Sequence, residues 1–302
     1  MKMGKIKVDN AIIMAAGLSS RFVPLSLEKP KGLLSVKGEV LIERQIRQLL
    51  EAGINDITIV VGYKKEAFYY LTEKFGAKIV INECYAAKNN IETLYLVRHL
   101  LKNTYICSSD DYFTTNPFSP YEECSFYSAE HIAKPSNEWY IIKDKDNNIT
   151  DVHISGTEGD IMLGAVFYDK TFSDAFVPLI EMAHKNKHYD NKLWEQLFID
   201  NVKELPPMKV KVYPKDTIFE FDSLEDLRLF DAKYIDNTNS KIMENISKTL
   251  NCREGEISNF ALISNDETSF SFSFDVNKSK YEYSENNGNY KIASIEGTDD
   301  KN

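Results

Sequence analysis

Three short stretches of this 302-residue sequence combine residue types that can do chemistry. The first is MAAGLSSRFVPLSLEKPKGLLSV, residues 14–36. An apolar run there ends in Ala15, Ala16 and Gly17, small residues that let a ligand approach the backbone. Ser19, Ser20 and Arg21 follow, offering hydroxyls, amides and a guanidinium to a polyphosphate. Lys31 comes directly after Pro30, whose ring restricts the backbone. The second stretch is YICSSDDYF, residues 105–113, in which an apolar run delivers Asp110 and Asp111. Hard carboxylate oxygens at a strand end suit Mg²⁺, which also takes phosphate and water ligands; a turn with solvated acids is the ordinary alternative. The third is TIFEFDSL, residues 217–224, where Glu220 and Asp222 alternate with Phe219 and Phe221. On a strand the two acids share one face, and such a pair is costly unless water or a cation compensates it. Alternatively Asp222, with Ser223, caps a helix beginning near Leu224.

These stretches need a scaffold that brings them to one edge, and the first half of the chain is patterned for one. Strand-like runs at residues 11–14, 57–61, 78–81 and 104–107 alternate with helical patterns at 40–52, 66–75 and 91–101. That alternation predicts βαβ units in an α/β fold, a Rossmann-like and mainly parallel sheet flanked by helices. AIIM and ITIVV lack period-two polarity, as strands covered on both faces do. Right-handed crossovers then align the strand C-termini along one edge, where open α/β sheets bind ligands. From residue 126 to 168 short strands predominate, with a hairpin around 144–148, and an antiparallel substrate-side subdomain is expected. Helices are expected at 172–187, 191–200 and 224–234, and strands near 210–213 and 218–221. This domain is expected to span residues 1–235, with the polar run DNTNS at 236–240 as a linker. The appended segment, 241–302, should hold a helix, a few strands including FSFSFDV, and a frayed acidic tail with Asp299 and Asp300.

Composition restricts the partners. A net charge of -10 and a pI near 5.2 argue against a nucleic-acid polymer, which requires a broad Lys/Arg surface. Cys84, Cys107, Cys124 and Cys252 lie far apart without CxxC spacing, so neither a zinc site nor a disulfide framework is indicated. The apolar run near the start is too short for a signal segment or a membrane span, and a cytoplasmic protein without membrane insertion is expected. Five scattered histidines, including His184 and His188, read as surface residues rather than zinc ligands.

The spacing A-A-G-x-S-S-R-x-x-P-L-x-x-x-x-P-K resembles the signature of the nucleoside-triphosphate transferase superfamily with the nucleotide-diphospho-sugar transferase fold. It is not a Walker loop, since no GxxxxGK[ST] is present. By that resemblance Arg21 contacts the β and γ phosphates and Lys31 bridges the α-phosphate and the acceptor. Asp110 holds Mg²⁺ with Asp111 in reserve, and Asp222 is the second metal ligand with Glu220 in support. LIERQIRQLLEAGINDITIVVGY, NNIETLYLVR, SSDDYFTTNPF, NEWYIIKDKD and IFEFDSLEDLR further resemble bacterial CTP:phosphocholine cytidylyltransferases along nearly all of residues 10–235. This likeness implies CTP and phosphocholine as substrates. It puts the cytosine near the backbone of residues 15–17, Gly62, Tyr85 and Asn90. The run at 265–288 is faintly similar to the first strands of a choline-kinase-like domain, but lacks the basic residue expected after KYEY.

A quaternary ammonium donates no hydrogen bonds and calls for aromatic faces with nearby acid. Trp139 and Trp194, with Tyr112, Tyr140, Tyr168 and Tyr189, are the aromatic candidates, and Glu138, Asp190 and Glu195 can supply negative potential; packing is the ordinary duty of such rings. The rival readings are a nucleotidyltransferase for aminoethylphosphonate, phosphoethanolamine or a sugar-1-phosphate, and a non-catalytic nucleotide-binding regulatory subunit. Placing Trp139 in the box implies that Trp139→Ala raises the phosphocholine KM much more than the CTP KM. Steady-state kinetics check this, and equal effects would contradict the placement.

Overall fold

The computed structural model of the chain describes residues 4–266 and 268–295. By its internal contacts the chain divides into two compact units, residues 1–17 with 39–220, and residues 18–38 with 221–302.

The central sheet of the first unit begins with β1 (Asn10–Ala15), helix α1 (Leu41–Glu51) and β2 (Ile57–Val61). It continues through α2 (Tyr70–Phe75), β3 (Lys78–Ile81), α3 (Asn90–Val97) and β4 (Thr104–Ser108). β1 pairs in parallel with both β2 and β4, and β2 with β3. All five residues of β2 are buried, as an apolar run without alternation requires in a doubly covered sheet. The expected helix at 91–101 stops at Val97 and passes into a single tight turn at Arg98–Leu100.

The chain then adds β5 (Asp111–Phe113), β6 (Phe126–Ile132), β7 (Ser136–Lys143), β8 (Ile149–Gly156) and β9 (Gly159–Tyr168). α4 (Lys170–His184), α5 (Trp194–Asp200), β10 (Lys209–Tyr213) and β11 (Ile218–Glu220) complete the unit. The β7–β8 hairpin turns where DKDNN predicts it, with Asp144 accepting hydrogen bonds from the amides of Asp146 and Asn148. The antiparallel strands extend the central sheet, in the order β8-β7-β9-β4-β1-β2-β3, because β9 lies antiparallel against β4. β6 branches from β9 and carries β10, while β5 and β11 form their own antiparallel pair. One core joins the strands to α3, α4 and α5 through Ile12, Ile106, Leu94, Phe172, Phe176 and Trp194.

In the second unit the expected helix at 224–234 is interrupted, forming α6 (Leu224–Phe230) and α7 (Lys233–Asp236). Ser223 caps α6 and exchanges hydrogen bonds with Asp226 in a capping box. In the 236–240 run Thr238 and Ser240 are buried, the other three residues are exposed, and Ser240 caps α8 (Lys241–Leu250). Arg228 donates to the carbonyls of Tyr234, Glu254 and Ile257. Four consecutive antiparallel strands complete this unit: β12 (Ile257–Asn265), β13 (Ser269–Val276), β14 (Ser279–Asn286) and β15 (Asn289–Ile295). The alternation of FSFSF places Phe272 and Phe274 together, both fully buried with Tyr283. The acidic tail with Asp299 and Asp300 lies outside the described residues. Among those residues no helix is long and apolar enough to cross a membrane.

Candidate active site

β1 and β2 end level, with Ala15 opposite Val61. One residue further on, the Ala16 carbonyl accepts a hydrogen bond from the Tyr63 amide at 3.1 Å. Between them, Gly62 is held so closely that a Cβ there would lie 2.7 Å from the Tyr85 Cβ and 2.8 Å from the Ala16 oxygen. Ala16, Gly62 and Tyr85 are therefore brought together. At Gly17 a Cβ would meet no protein atom within 4 Å, so packing does not demand glycine there.

β4 ends beside β1, with Met14 opposite Ser108 and the Ser109 amide donating to the Met14 carbonyl. The turn after β4 carries Asp110 and leads into Asp111, the first residue of β5. Its ends are held by Gln45 on α1, whose Nε2 donates to the Ser108 carbonyl at 2.6 Å and the Asp111 carbonyl at 2.9 Å. Arg44 and Gln48 reach the Phe113 carbonyl from the same helix. The sequence reading missed this clamp. Its only trace is two glutamines whose spacing puts them on the buried face of an amphipathic helix.

Asp111, Glu220, Tyr127, Trp194, Glu195 and Asn90 line one cavity of about 90 Å³, with Met14 and Met162 among its apolar walls. The helix α3 N-terminus positions two of these residues. Asn89 caps α3, and its amide donates to the Asp190 carbonyl at 2.7 Å. Asn90 Oδ1 accepts from the Trp194 amide at 2.7 Å. Asn90, expected to contact the nucleotide, thus secures the start of α5 at the cavity. Trp194 is 1% exposed and stacks on Tyr127 with ring centroids 5.9 Å apart. Its indole nitrogen is buried without a hydrogen-bond partner.

Glu195 projects its carboxyl into the same cavity. Burial pushes its pKa up to about 7, against hydrogen bonds from Asn90 and the Tyr127 hydroxyl that favour the charged form. Its Oε2 is buried without a hydrogen-bond partner. Burial also raises the Tyr127 phenol well above its usual value, and Glu195, Glu220 and Asp111 add negative potential. Of the three acids considered for a cationic head, Glu195 lines this cavity; Glu138 is exposed on β7, and Asp190 lies 3.7 Å from Lys88.

In the second unit Asp222 draws together the two expected phosphate-binding cations. Arg21 Nη1 is 2.8 Å from Asp222 Oδ2, and Lys31 Nζ is 3.6 Å from Oδ1. The Lys31 side chain is only 8% exposed and lies 5.5 Å over the Phe22 ring. Asp222 is not on a strand with Glu220: β11 ends at Glu220, and the capping of α6 by Ser223 turns the chain away. Ser19 adopts a left-handed backbone ahead of the short turn Ser20–Phe22.

The remaining expected residues lie elsewhere. Trp139 is half-buried on β7 against the core and is not among the cavity-lining residues. Tyr112 is buried under the Arg44 guanidinium, 4.6 Å from the ring centroid. Tyr189 donates to Asp200 at 3.3 Å. His184, read as a surface residue, is instead half-buried, stacked on Tyr95 at 3.6 Å and 2.7 Å from Glu92 Oε2. Among the described residues no three His, Cys, Asp or Glu side chains converge as metal ligands. Asp110 and Glu220 in the first unit and Asp222 in the second nonetheless each offer hard oxygens of the kind Mg²⁺ takes when phosphates supply its other ligands.

Residues 11–106 match the model of the MobA-like NTP transferase domain family. The chain is 38% identical over 218 residues to a choline-phosphate cytidylyltransferase of Streptococcus pneumoniae, covering 72% of this chain and 95% of the relative. A solved structure of CTP:phosphocholine cytidylyltransferase from that organism superimposes with a TM-score of 0.71, covering 74% of this chain and 97% of that one. The chain belongs to this cytidylyltransferase family. It is a nucleotidyltransferase, and its α/β fold is that of the family. A 2-aminoethylphosphonate cytidylyltransferase of Lancefieldella rimae is also similar, at 31% identity over 241 residues, 78% of this chain and 97% of the relative.

Two measurements test this geometry. Gln45→Leu removes both donors from the Asp110–Asp111 turn. It is expected to cost about 1–3 kcal/mol of stability and to lower kcat/KM about tenfold, read by thermal melts and steady-state pyrophosphate release. Unchanged activity would contradict the clamp. Because the Glu195 pKa is raised in the folded state, the native protein holds a proton that the unfolded chain has lost between pH 4.5 and about 7, and stability falls as pH rises through that window. Glu195→Gln should flatten that decline, by about 3 kcal/mol at most, in melts recorded from pH 5 to 8.

Proposed function

We propose that the cytidylyltransferase moves CMP from CTP to phosphocholine, giving CDP-choline and pyrophosphate. The observation that carries this reading is the small cavity in which an aromatic face, Tyr127, lies among the carboxyls of Glu195, Glu220 and Asp111. That combination answers a head group that is cationic and bulky. The likeness to the choline-phosphate enzyme of Streptococcus pneumoniae supports the same acceptor.

In the reaction, a phosphate oxygen of phosphocholine attacks the α-phosphorus of CTP. The new P–O bond forms as the bond to the β-phosphate breaks, and the electron pair leaves with pyrophosphate. A phosphate monoester needs no activating triad, so positioning and charge stabilisation do most of the work. Arg21 and Lys31 are assigned to the phosphate oxygens, where positive charge offsets the build-up on the leaving group. Mg²⁺, when held by Asp110, would neutralise phosphate charge. Ala15, Ala16, Gly17, Ser19, Ser20, Gly62 and Tyr85 are assigned to the nucleotide. A protein at work in the cytoplasm is part of this proposal.

One observation favours a second reading, transfer to 2-aminoethylphosphonate. The partnerless Glu195 Oε2 is an acceptor that a primary ammonium would satisfy, and the Lancefieldella rimae relative bears that acceptor's name. Pyrophosphate release with Mg²⁺, measured across four nucleoside triphosphates and the acceptors phosphocholine, phosphoethanolamine, 2-aminoethylphosphonate and glucose-1-phosphate, separates the two. Activity confined to CTP with phosphocholine is expected; activity confined to another acceptor would overturn the acceptor assignment.

A further inference from the structure

The appended segment lies beyond the likeness to cytidylyltransferases, which ends near residue 235, and the Streptococcus pneumoniae relative covers only 72% of this chain. Its contacts nonetheless lead to the signature stretch, for residues 18–38 group with residues 221–302. β12 lies alongside the Ser20–Phe22 turn that carries Arg21. Further along, a single helical turn at Leu25–Glu28 ends in Glu28, whose Oε1 accepts the Ile242 amide of α8 at 2.9 Å. That amide is one of the first-turn donors that a helix leaves unsatisfied, and a carboxylate there also answers the positive end of the helix dipole. Leu25, Ser26 and Leu27 are buried, as are Ile242, Met243 and Ile246, so the link joins two packed segments. Arg228 makes a second tie. From α6 its guanidinium donates to the carbonyls of Glu254 and Ile257 at 2.7 Å each, where β12 begins. α6 starts directly behind Asp222 and Ser223, whose amides both donate to Asp226 Oδ2 on that helix. The appended segment thus holds both sides of the Arg21–Asp222 ion pair, the stretch of Arg21 through β12 and Glu28 and the helix behind Asp222 through Arg228.

We propose that α8 and β12 are a positioning device for the phosphate-binding stretch, fixing where Arg21 and Lys31 stand relative to Asp222, with Glu28 and Arg228 as its positioning residues. The inference rests on the assignment of that stretch to the triphosphate, and it gives the appended segment a task in cytidylyl transfer. Arg21 is the residue that needs such support. Its side chain is 75% exposed, and an ion pair so placed holds little by itself. A loop that must be ordered when a polyphosphate binds loses affinity by the cost of that ordering, and a stretch held in advance by a packed helix and a sheet does not. The coupling is reciprocal: what the segment does for CTP binding, a bound polyphosphate must do for the segment.

The test uses the full chain. In Glu28→Ala, which removes the acceptor of the Ile242 amide, the CTP KM and the inhibition constant of pyrophosphate should each rise about fivefold, with the phosphocholine KM within about twofold of wild type. Glu28→Gln keeps an acceptor at the same reach and should recover most of the CTP affinity. A general loss of structure would lower kcat through the fraction of folded enzyme and leave both constants at their wild-type values, and that result would overturn the inference. Hydrogen exchange on the wild type decides without any substitution. Pyrophosphate with Mg²⁺ should slow exchange in the first turn of α8 and along β12; an appended segment whose exchange ignores pyrophosphate would overturn the inference. Arg21→Ala controls for the underlying assignment. An unchanged CTP KM in that variant would remove the phosphate duty of the stretch and the inference with it, whereas a raised CTP KM there, with Glu28→Ala at wild-type values, would overturn the inference alone.

Discussion

Because β1 hydrogen-bonds in parallel to β2 on one side and β4 on the other, three strands of the first unit run out at one level. The loops leaving these strands must then lie along a common edge. The Ala16 carbonyl, Gly62 and the Tyr85 side chain meet there because the first two come one residue after paired positions, Ala15 and Val61. The Ser108–Asp111 turn begins where β4 leaves Met14. A shift of register by one residue would break this meeting and turn every buried side chain of β1 to the opposite face. The apolar runs that specify the sheet therefore also specify where Gly62, Tyr85 and the acids after β4 stand.

Electrostatics divides between the two units. In the first, the cavity gathers carboxyls and an aromatic ring, and burial raises the Glu195 pKa to about 7. In the second, a nearly buried lysine and an exposed arginine converge on Asp222. Neither arrangement is an efficient stabiliser: an isolated acid in a cavity is a cost, and an ion pair with one exposed partner contributes little. Such costs are the expected mark of sites organised around ligands rather than around the fold.

The strands at 57–61 and 78–81 were legible to the residue, because uninterrupted β-branched runs bounded by turns have few alternatives. The antiparallel region was legible as strands but not as a continuation of the central sheet, since sequence patterning does not reveal which edge a strand joins. Tertiary contacts decided the rest. Ser223 and Asp226 close a capping box that ends β11 before Asp222, although the alternating FEFD reads as strand. Thr238 and Ser240 look like linker residues until the hydrogen bonds that bury them are seen. Glu195 was one acid among three candidates, and only the link from Asn90 to Trp194, across more than a hundred residues, singles it out. Lys31 and Arg21 came from a recognisable motif and Asp222 from the separate TIFEFDSL stretch, but their convergence was not legible.

The structure of the full chain crystallised with CDP-choline would test the account most directly. The account requires the trimethylammonium head in the cavity beside Tyr127 and Glu195, with the cytosine against the backbone of Ala16 and Gly62 near Tyr85. A head group bound elsewhere, with Glu195 still facing an empty cavity, would contradict it.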